Sequence, residues 1–396
     1  MHWKKNSNPA KSDHRPWSAT SKRRITPLLV ILWVLGLFPS VANMGHTQEV
    51  SPSGSTQSNL NPPKEYDFGT SEAIVDIGVQ PLWFPSGIIT EVIRHDAILE
   101  RQLQQLGKKL RFHPFFKGAD VNLQIHHGNL EGGIGGDMPA IWACVADQVR
   151  IVSLTDYYFT AIVAPKPVLL PELRGQRIGY ALGSNAHYAL LSALRANNLT
   201  ESDVTLVPME ANAMPQALEQ GTIDAFSAWE PTPTMATYLH SHHIIHKFLS
   251  SGYLYFSHLF AERYPEIIHL IIAAQFRALN WLTASDKNFS QALSWSNATI
   301  RQFQGYDFAL PTKESLRLGH SSIRHLQAMP VIPEDDLLEN GHIGQAVHFL
   351  KHIGKLPTDL PWKHVAACFH REDGTKILSA PTQYRLDTFD YADLPP

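Results

Sequence analysis

Apolar and polar positions switch between two periods along most of the chain. Ile74-Val75-Asp76-Ile77-Gly78-Val79 is short and almost continuously apolar, which predicts a buried strand. Gln80 to Pro85 holds two prolines and reads as a loop. Ile88, Ile89, Val92 and Ile93, then Ile98, Leu99, Leu103 and Leu106, recur at helical spacing. Leu110 to Phe115 predicts a second strand. The same strand–turn–helix unit returns at 177–197, with Arg177 to Ala181 as the strand and Ala186 to Arg195 as the helix. Phe159 to Val163 predicts an apolar crossing strand ended by Pro165 and Pro167, and Tyr253 to Phe256 a return strand. From 265 to 350 the period is helical. Ile267, Ile268 and Ile271 share their stretch with His269, Gln275, Arg277 and Asn280, so a packed helix is expected there rather than a membrane span. This alternation predicts an α/β fold with a mainly parallel sheet.

The chain also repeats a local plan. Gly128 leads to Asp137-Met138-Pro139, and Gly221 leads to Glu230-Pro231, with the same nine-residue offset from glycine to acid. Each glycine should end a helix, and each proline should open the next one after a short strand. The two acids then fall at the carboxyl ends of strands, where open α/β sheets bind ligands. Two lobes of related construction follow from this plan.

The turn Gly183-Ser184-Asn185-Ala186-His187-Tyr188 lies between a strand and a helix. Ser184 or Asn185 suits the N-cap, and Gly183 lets the backbone approach a ligand. Free N–H groups and the positive end of the helix dipole together favour an anion. No lysine follows where a nucleotide-binding loop needs one, so a small anion fits better than ATP.

Composition adds bounds. The chain has 396 residues, 44% hydrophobic and 17% charged, enough for a large core. A net charge of −3 gives no reason to expect a nucleic-acid partner. Basic residues up to Arg24, the apolar run Ile25–Phe38 and the small residues Ser40 and Ala42 predict a signal peptide over 1–42. Residues 43–67 read as a flexible linker. The mature protein is thus expected outside the cytoplasm, membrane-anchored if the signal stays uncleaved. Cys144 and Cys368 are read as two buried free thiols, with a disulfide left open.

Four segments occur in order: Gly136-Asp137-Met138-Pro139-Ala140, Leu173 to Ile178, Gly183 to Tyr188, and Asp224 to Pro231. Together they resemble the nitrate/sulfonate/taurine substrate-binding family of ABC importers, which shares the NMT1/THI5-like domain of thiamine-pyrimidine proteins. The resemblance spans roughly residues 72–285 and continues more weakly to about 355. It implies a periplasmic binding protein fold of type 2, two lobes with a two-crossing hinge. The implied domains are 68–162 and 255–365 for lobe one, 163–254 for lobe two, and a C-terminal tail over 366–396.

The resemblance also implies a site. Ser184, Asn185 and the N–H groups of Ala186 and His187 would hold the negative group. Gln80, Trp83 and Phe84 match the family's Gln-Pro loop, and Trp83, Phe84 and Trp229 would pack the organic part. Asp137 and Glu230 could accept hydrogen bonds from an amino or hydroxyl group, which favours a zwitterion over nitrate. Sulfonate binders carry Trp-Asp-Pro where this chain has Trp229-Glu230-Pro231, so the pocket is smaller or differently aimed. The expected partners are a small anionic ligand and a membrane permease, with a monomeric chain, no cofactor and no metal. Alternatives are nitrate, bicarbonate or a thiamine-pyrimidine precursor as ligand. A metal site at His240, His242, His243 and His246 is another, with His126-His127 as a second histidine pair. An enzyme is the last. The pyrimidine-forming relative depends on a cysteine cluster that this chain lacks, and Ser184 with His187 has no third triad partner.

Overall fold

The structure is a computed structural model that describes residues 66–69, 71–147, 149–305, 310–328 and 330–391. The expected signal peptide, and the linker up to residue 65, lie outside these residues. Tyr66, from the linker's end, already packs on Phe115 with ring centroids 4.7 Å apart.

One eight-stranded sheet carries the described fold. Its strands are β1 (Ile74–Val79), β2 (Lys109–Pro114), β3 (Gly132–Gly136), β4 (Arg150–Ala164), β5 (Arg177–Tyr180), β6 (Thr205–Pro208), β7 (Ala225–Trp229) and β8 (His243–Phe256). Their spatial order is β2-β1-β3-β8-β4-β7-β5-β6. Each outer triplet is parallel, as the alternating sequence predicts. The two long central strands are antiparallel to each other, from Arg150 opposite Phe256 to Ala164 opposite His243. The end of β8 pairs with β3, and the end of β4 pairs with β7. The ribbon therefore belongs to both lobes, and the chain crosses between them twice. Lobe two also has its own apolar cluster, including Ile162, Leu173, Ile178, Leu190 and Leu194.

The helices are α1 (Ser86–Arg94), α2 (Ala97–Gln105), α3 (Gly118–His126), α4 (Asp137–Asp147), α5 (Asn185–Ala196), α6 (Met214–Glu219) and α7 (Thr232–His240). After the second crossing come α8 (His258–Arg263), α9 (Pro265–Ala284), α10 (Asp286–Gln304), α11 (Thr312–Ala328), α12 (His342–His352), α13 (Trp362–Ala366) and α14 (Arg371–Leu378). The continuous apolar period over 88–106 is two helices rather than one. Asp96 breaks it by accepting from the N–H groups of Ile98 and Leu99, a side-chain cap that starts α2. Gly128 and Gly221 both have positive φ at the predicted helix ends, 70° and 65°. The α9 helix is long and apolar enough to span a membrane, but Ile267, Ile268, Ile271, Ile272 and Phe276 are buried in the core.

Two expectations change. Residues 366–391 are integral to the core, not a surface tail. Phe369 bridges to Ile151, Asp373 pairs with Arg150 at 3.0 Å, and Ile377 and Leu386 are buried. Arg277, fully buried in α9, donates to Asp96 at 2.8 Å and to the Tyr384 carbonyl at 2.8 Å. A buried charge needs such partners, so this arginine ties α2, α9 and the C-terminal segment into one unit. The polar sequence hid this because only isolated apolar residues point inward.

Cys144 and Cys368 are joined in a disulfide, with Cα atoms 6.0 Å apart, which corrects the free-thiol reading. The bridge links α4 to the turn after α13, across 224 residues of sequence. Closing so long a loop restricts the unfolded chain, and a native bridge typically contributes about 2–4 kcal/mol. Cys144→Ser with Cys368→Ser is expected to lower the urea midpoint accordingly. Thiol titration of the denatured, unreduced protein should find none, and two thiols per chain would contradict the bridge.

Candidate functional site

The lobes meet where two helices begin. The α4 helix starts directly after β3 in lobe one, and α5 starts after the turn that follows β5 in lobe two. Ser184 is the N-cap of α5. Its hydroxyl donates to the Ala181 carbonyl at 2.6 Å and accepts from the His187 N–H at 3.4 Å. The backbone N–H groups of Asn185 and Ala186 are the first of the helix and fall outside its internal bonding pattern. Asn185 reaches across the cleft. Its Oδ1 accepts from the Met138 N–H at 3.1 Å, and its Nδ2 donates to Asp137 at 3.1 Å.

Between these helix ends lies a small void. Gln80, Trp83, Ser184, Asn185 and Trp229 line it, so half of the sequence-expected residues converge there. Gln80 is held by its Nε2 donating to the Ile134 carbonyl at 2.9 Å. Gly118, Gly136, Pro139 and Tyr158 complete the wall. Gly136 and Pro139 flank Asp137 in the first motif and were legible as neighbours. Tyr158 gave no signal, because it lies inside a long strand whose length the sequence understated. Its ring meets Trp83 edge-on at 4.8 Å.

The other expected residues have different partners. Phe84 lines a separate void with Leu293 and Ile300 of α10, and its ring faces Phe289 at 6.3 Å. The His187 ring packs on Tyr180 at 4.7 Å. Residues two apart on a helix do not share a face, which is why His187 and Asn185 part company. Burial, and then Lys355, pulls the His187 imidazole down to about 4, so it is neutral at pH 7 and offers an anion no charge. Its N–H is already taken by Ser184. Ala186 is fully buried, and its carbonyl accepts from Ser227 at 2.9 Å. Glu230 accepts from the Thr234 N–H in the first turn of α7 at 3.2 Å, while its carbonyl accepts from the Phe84 N–H at 3.1 Å. Burial raises its carboxyl against the pull of the Thr234 bonds.

Asp137 is also held by protein donors. It accepts from the Ser251 N–H at 3.1 Å and from Asn185, and the His342 Nε2 stands 3.5 Å away. Burial alone would lower His342, but Asp137 and Asp336 outweigh it and raise the imidazole. Thus α12, far along the chain, adds a residue that sequence spacing could not place. Neither Asp137 nor Glu230 lines the void between the helix ends. Among the described residues no group of three His, Cys, Asp or Glu could hold a metal ion. His240 and His242 stack at 5.6 Å beside Glu219, on lobe two.

A second missed residue is Asp156, fully buried on β4 opposite Gly252. A Cβ on Gly252 would stand 2.2 Å from the Asp156 carboxyl and 2.8 Å from Trp83, so only glycine fits between them. Thr155 donates to Asp156 at 2.6 Å. Burial pushes this carboxyl up to about 7, with Asp137 adding to the rise and the Thr155 bond opposing it.

These features define a two-lobed, cleft-centred binding fold, that of a type 2 periplasmic binding protein. Residues 148–268 match the family described as NMT1/THI5 like. A protein of Escherichia coli (strain K12) assigned to aliphatic sulfonate binding is 28% identical over 150 residues, 34% of this chain and 43% of that one. The taurine-binding periplasmic protein of the same organism is 26% identical over 132 residues, 32% of this chain and 41% of that one. The chain thus matches less than half the length of these curated relatives. The solved alkanesulfonate-binding protein SsuA from Xanthomonas axonopodis pv. citri, bound to MOPS, superposes with a TM-score of 0.55 at 19% identity. That match covers 75% of this chain and 98% of SsuA, and it establishes the fold.

The Asp156 geometry predicts a pH dependence. An aspartate held above its unfolded value of about 3.9 weakens the fold as it ionises. Stability should fall as pH rises from about 4 towards 7, by about 1.4 kcal/mol per pH unit at most from this group. Urea unfolding at pH 5.5 and 8 should show the loss in the wild type and a smaller one in Asp156→Asn. An equal slope in both proteins would contradict the assignment.

Proposed function

We propose that this chain is an extracytoplasmic solute-binding protein of an ABC importer. It holds a small organic anion, foremost an alkanesulfonate, in the inter-lobe cleft and delivers it to a membrane permease. One observation carries the reading. Two helix N-termini, one from each lobe, converge on a single void walled by Trp83, Tyr158 and Trp229. No lysine or arginine lines that void among the described residues. Oriented backbone dipoles without a neighbouring cation suit one delocalised negative charge, and the aromatic walls suit an apolar substituent. The sequence favoured an amino-sulfonate because two acids were expected in the pocket. With Asp137 and Glu230 committed to protein donors, the ligand needs no ammonium group, and taurine ranks below a plain alkanesulfonate. The relatives' names support the same ligand class, and the expected signal peptide supports the location. The reading is of a binder and not an enzyme, since Ser184 and His187 each serve the fold at α5.

Closure depends on Gly136. A Cβ there would stand 2.4 Å from Asn185 Oδ1 and force apart the cross-cleft bonds. A thermal-shift panel of alkanesulfonates, taurine, nitrate and bicarbonate on the refolded protein tests the function. An alkanesulfonate at 100 times its Kd should add about 2.7 kcal/mol of stability. Gly136→Ala should weaken that ligand about tenfold, the worth of one or two net hydrogen bonds. A panel in which no anion stabilises the protein would overturn the reading.

A further inference from the structure

Helix α12 comes late in the chain yet rests on both lobes. Ile343, Ala346, Val347 and Leu350 form its buried face. Phe349 meets Tyr188 of α5 edge-on with ring centroids 5.5 Å apart, and Lys355, just past the helix, pairs with Glu201 of lobe two at 3.5 Å. At its other end, His342 opens α12 with its Nε2 3.5 Å from the Asp137 carboxylate of α4. Asp336, in the turn before α12, is the second carboxylate that acts on this imidazole. Burial raises the Asp336 carboxyl, against the pull of His342. Tyr157 and Tyr253 of the central ribbon feel the same two acids, and burial first, then those acids, keeps both phenols protonated. Tyr188 and Asp156 also feel Asp137.

We propose that His342 is the counter-charge of the anion cleft, a positioning residue whose proton offsets Asp137 and couples ligand binding to proton uptake. The proposal rests on the anion reading above and adds its regulation by pH. A helix end draws an anion only as far as its dipole is not already met, and a carboxylate at the first position of α4 meets it. Asn185 lines the void and donates to that carboxylate, so Asp137 and a bound anion share a neighbour. No lysine or arginine lines the void among the described residues. The imidazolium at Asp137 supplies the compensating charge from behind the wall. Burial works against the charged ring, but Asp137 and Asp336 outweigh it and keep the proton on above the usual histidine value of about 6.5. A bound anion adds a further negative charge and raises the imidazole again. By linkage, binding then takes up a proton. Affinity is level while His342 is protonated in both free and bound protein. It falls as pH rises through the free protein's value, by at most about tenfold per pH unit, and levels again above the bound protein's value.

Titration calorimetry of the full chain with ethanesulfonate, from pH 5.5 to 9 in cationic buffers, tests this. Affinity should fall several-fold over that range. Asp156 titrates in the same window, so the profile is repeated in Asp156→Asn and again with His342→Gln added. The slope should persist in the first and vanish in the second, which keeps the weaker, high-pH affinity throughout. Nuclear magnetic resonance of the unaltered protein with isotope-labelled histidine keeps the test open if a variant misfolds. One imidazole should titrate above about 6.5, move upward when ethanesulfonate binds, and move downward in Asp336→Asn. Binding that is independent of pH, or a His342 titration that ethanesulfonate does not move, would overturn the proposal and leave the anion reading standing. A slope that survives His342→Gln would give the proton to another group and overturn it as well. Failure of ethanesulfonate and every other alkanesulfonate to bind at any pH would overturn the anion reading, and the proton coupling with it.

Discussion

The antiparallel pairing of β4 with β8 is the constraint on which the rest depends. Fifteen residues of β4 run against fourteen of β8, one end of the ribbon joining lobe one and the other lobe two. Because both crossings lie side by side in one ladder, the lobes can only reorient by bending that ladder. Everything placed near its midpoint then feels both lobes at once. Ser251 holds Asp137, Asp156 lies under Gly252, and Tyr158 packs on Trp83. Two irregularities in register fall between Ile151 and Asp156, just before this midpoint. Bulges bend and twist a strand, which suits a segment that turns from one lobe to the other.

The electrostatics of the cleft follow from this placement. Helices α4 and α5 point their positive ends at one space from opposite sides. Asp137, the first residue of α4, is held by the Ser251 N–H and the Asn185 amide, with the His342 Nε2 3.5 Å away. Asn185 is the hinge's counterpart on the open side of the cleft, a short side chain that touches both a backbone N–H and a carboxylate of the other lobe. Lys117 with Glu210 adds a second cross-lobe contact. The cross-lobe contacts are thus few and polar, each of modest individual strength.

Much of this was legible beforehand. Two local signals carried the fold: strand-to-helix alternation, and the doubled glycine-to-acid spacing that fixed β3, α4, β7 and α7. The Ser184 cap was equally clear, because capping chemistry is local. What the sequence could not show depended on long-range partners. The direction of Phe84, His187 and Glu230 is decided by what packs against them, and all three turned to protein rather than to the cleft. His342, Asp156 and the Cys144–Cys368 bridge are joined to their partners across tens to hundreds of residues. The C-terminal segment looked like a tail because its few buried apolar residues sit singly among polar ones. Arg277, which anchors it, is a charge that simple burial rules place outside.

The most direct test is the distance between the lobes with and without ligand. Spin labels at Leu123→Cys on α3 and Tyr238→Cys on α7 report it, since both positions are exposed and the native cysteines are bridged. Pulsed electron resonance should give one narrow distance in saturating ethanesulfonate and a longer, broader distribution in its absence. The same distribution in both conditions would contradict closure of the two lobes around an anion as the basis of function.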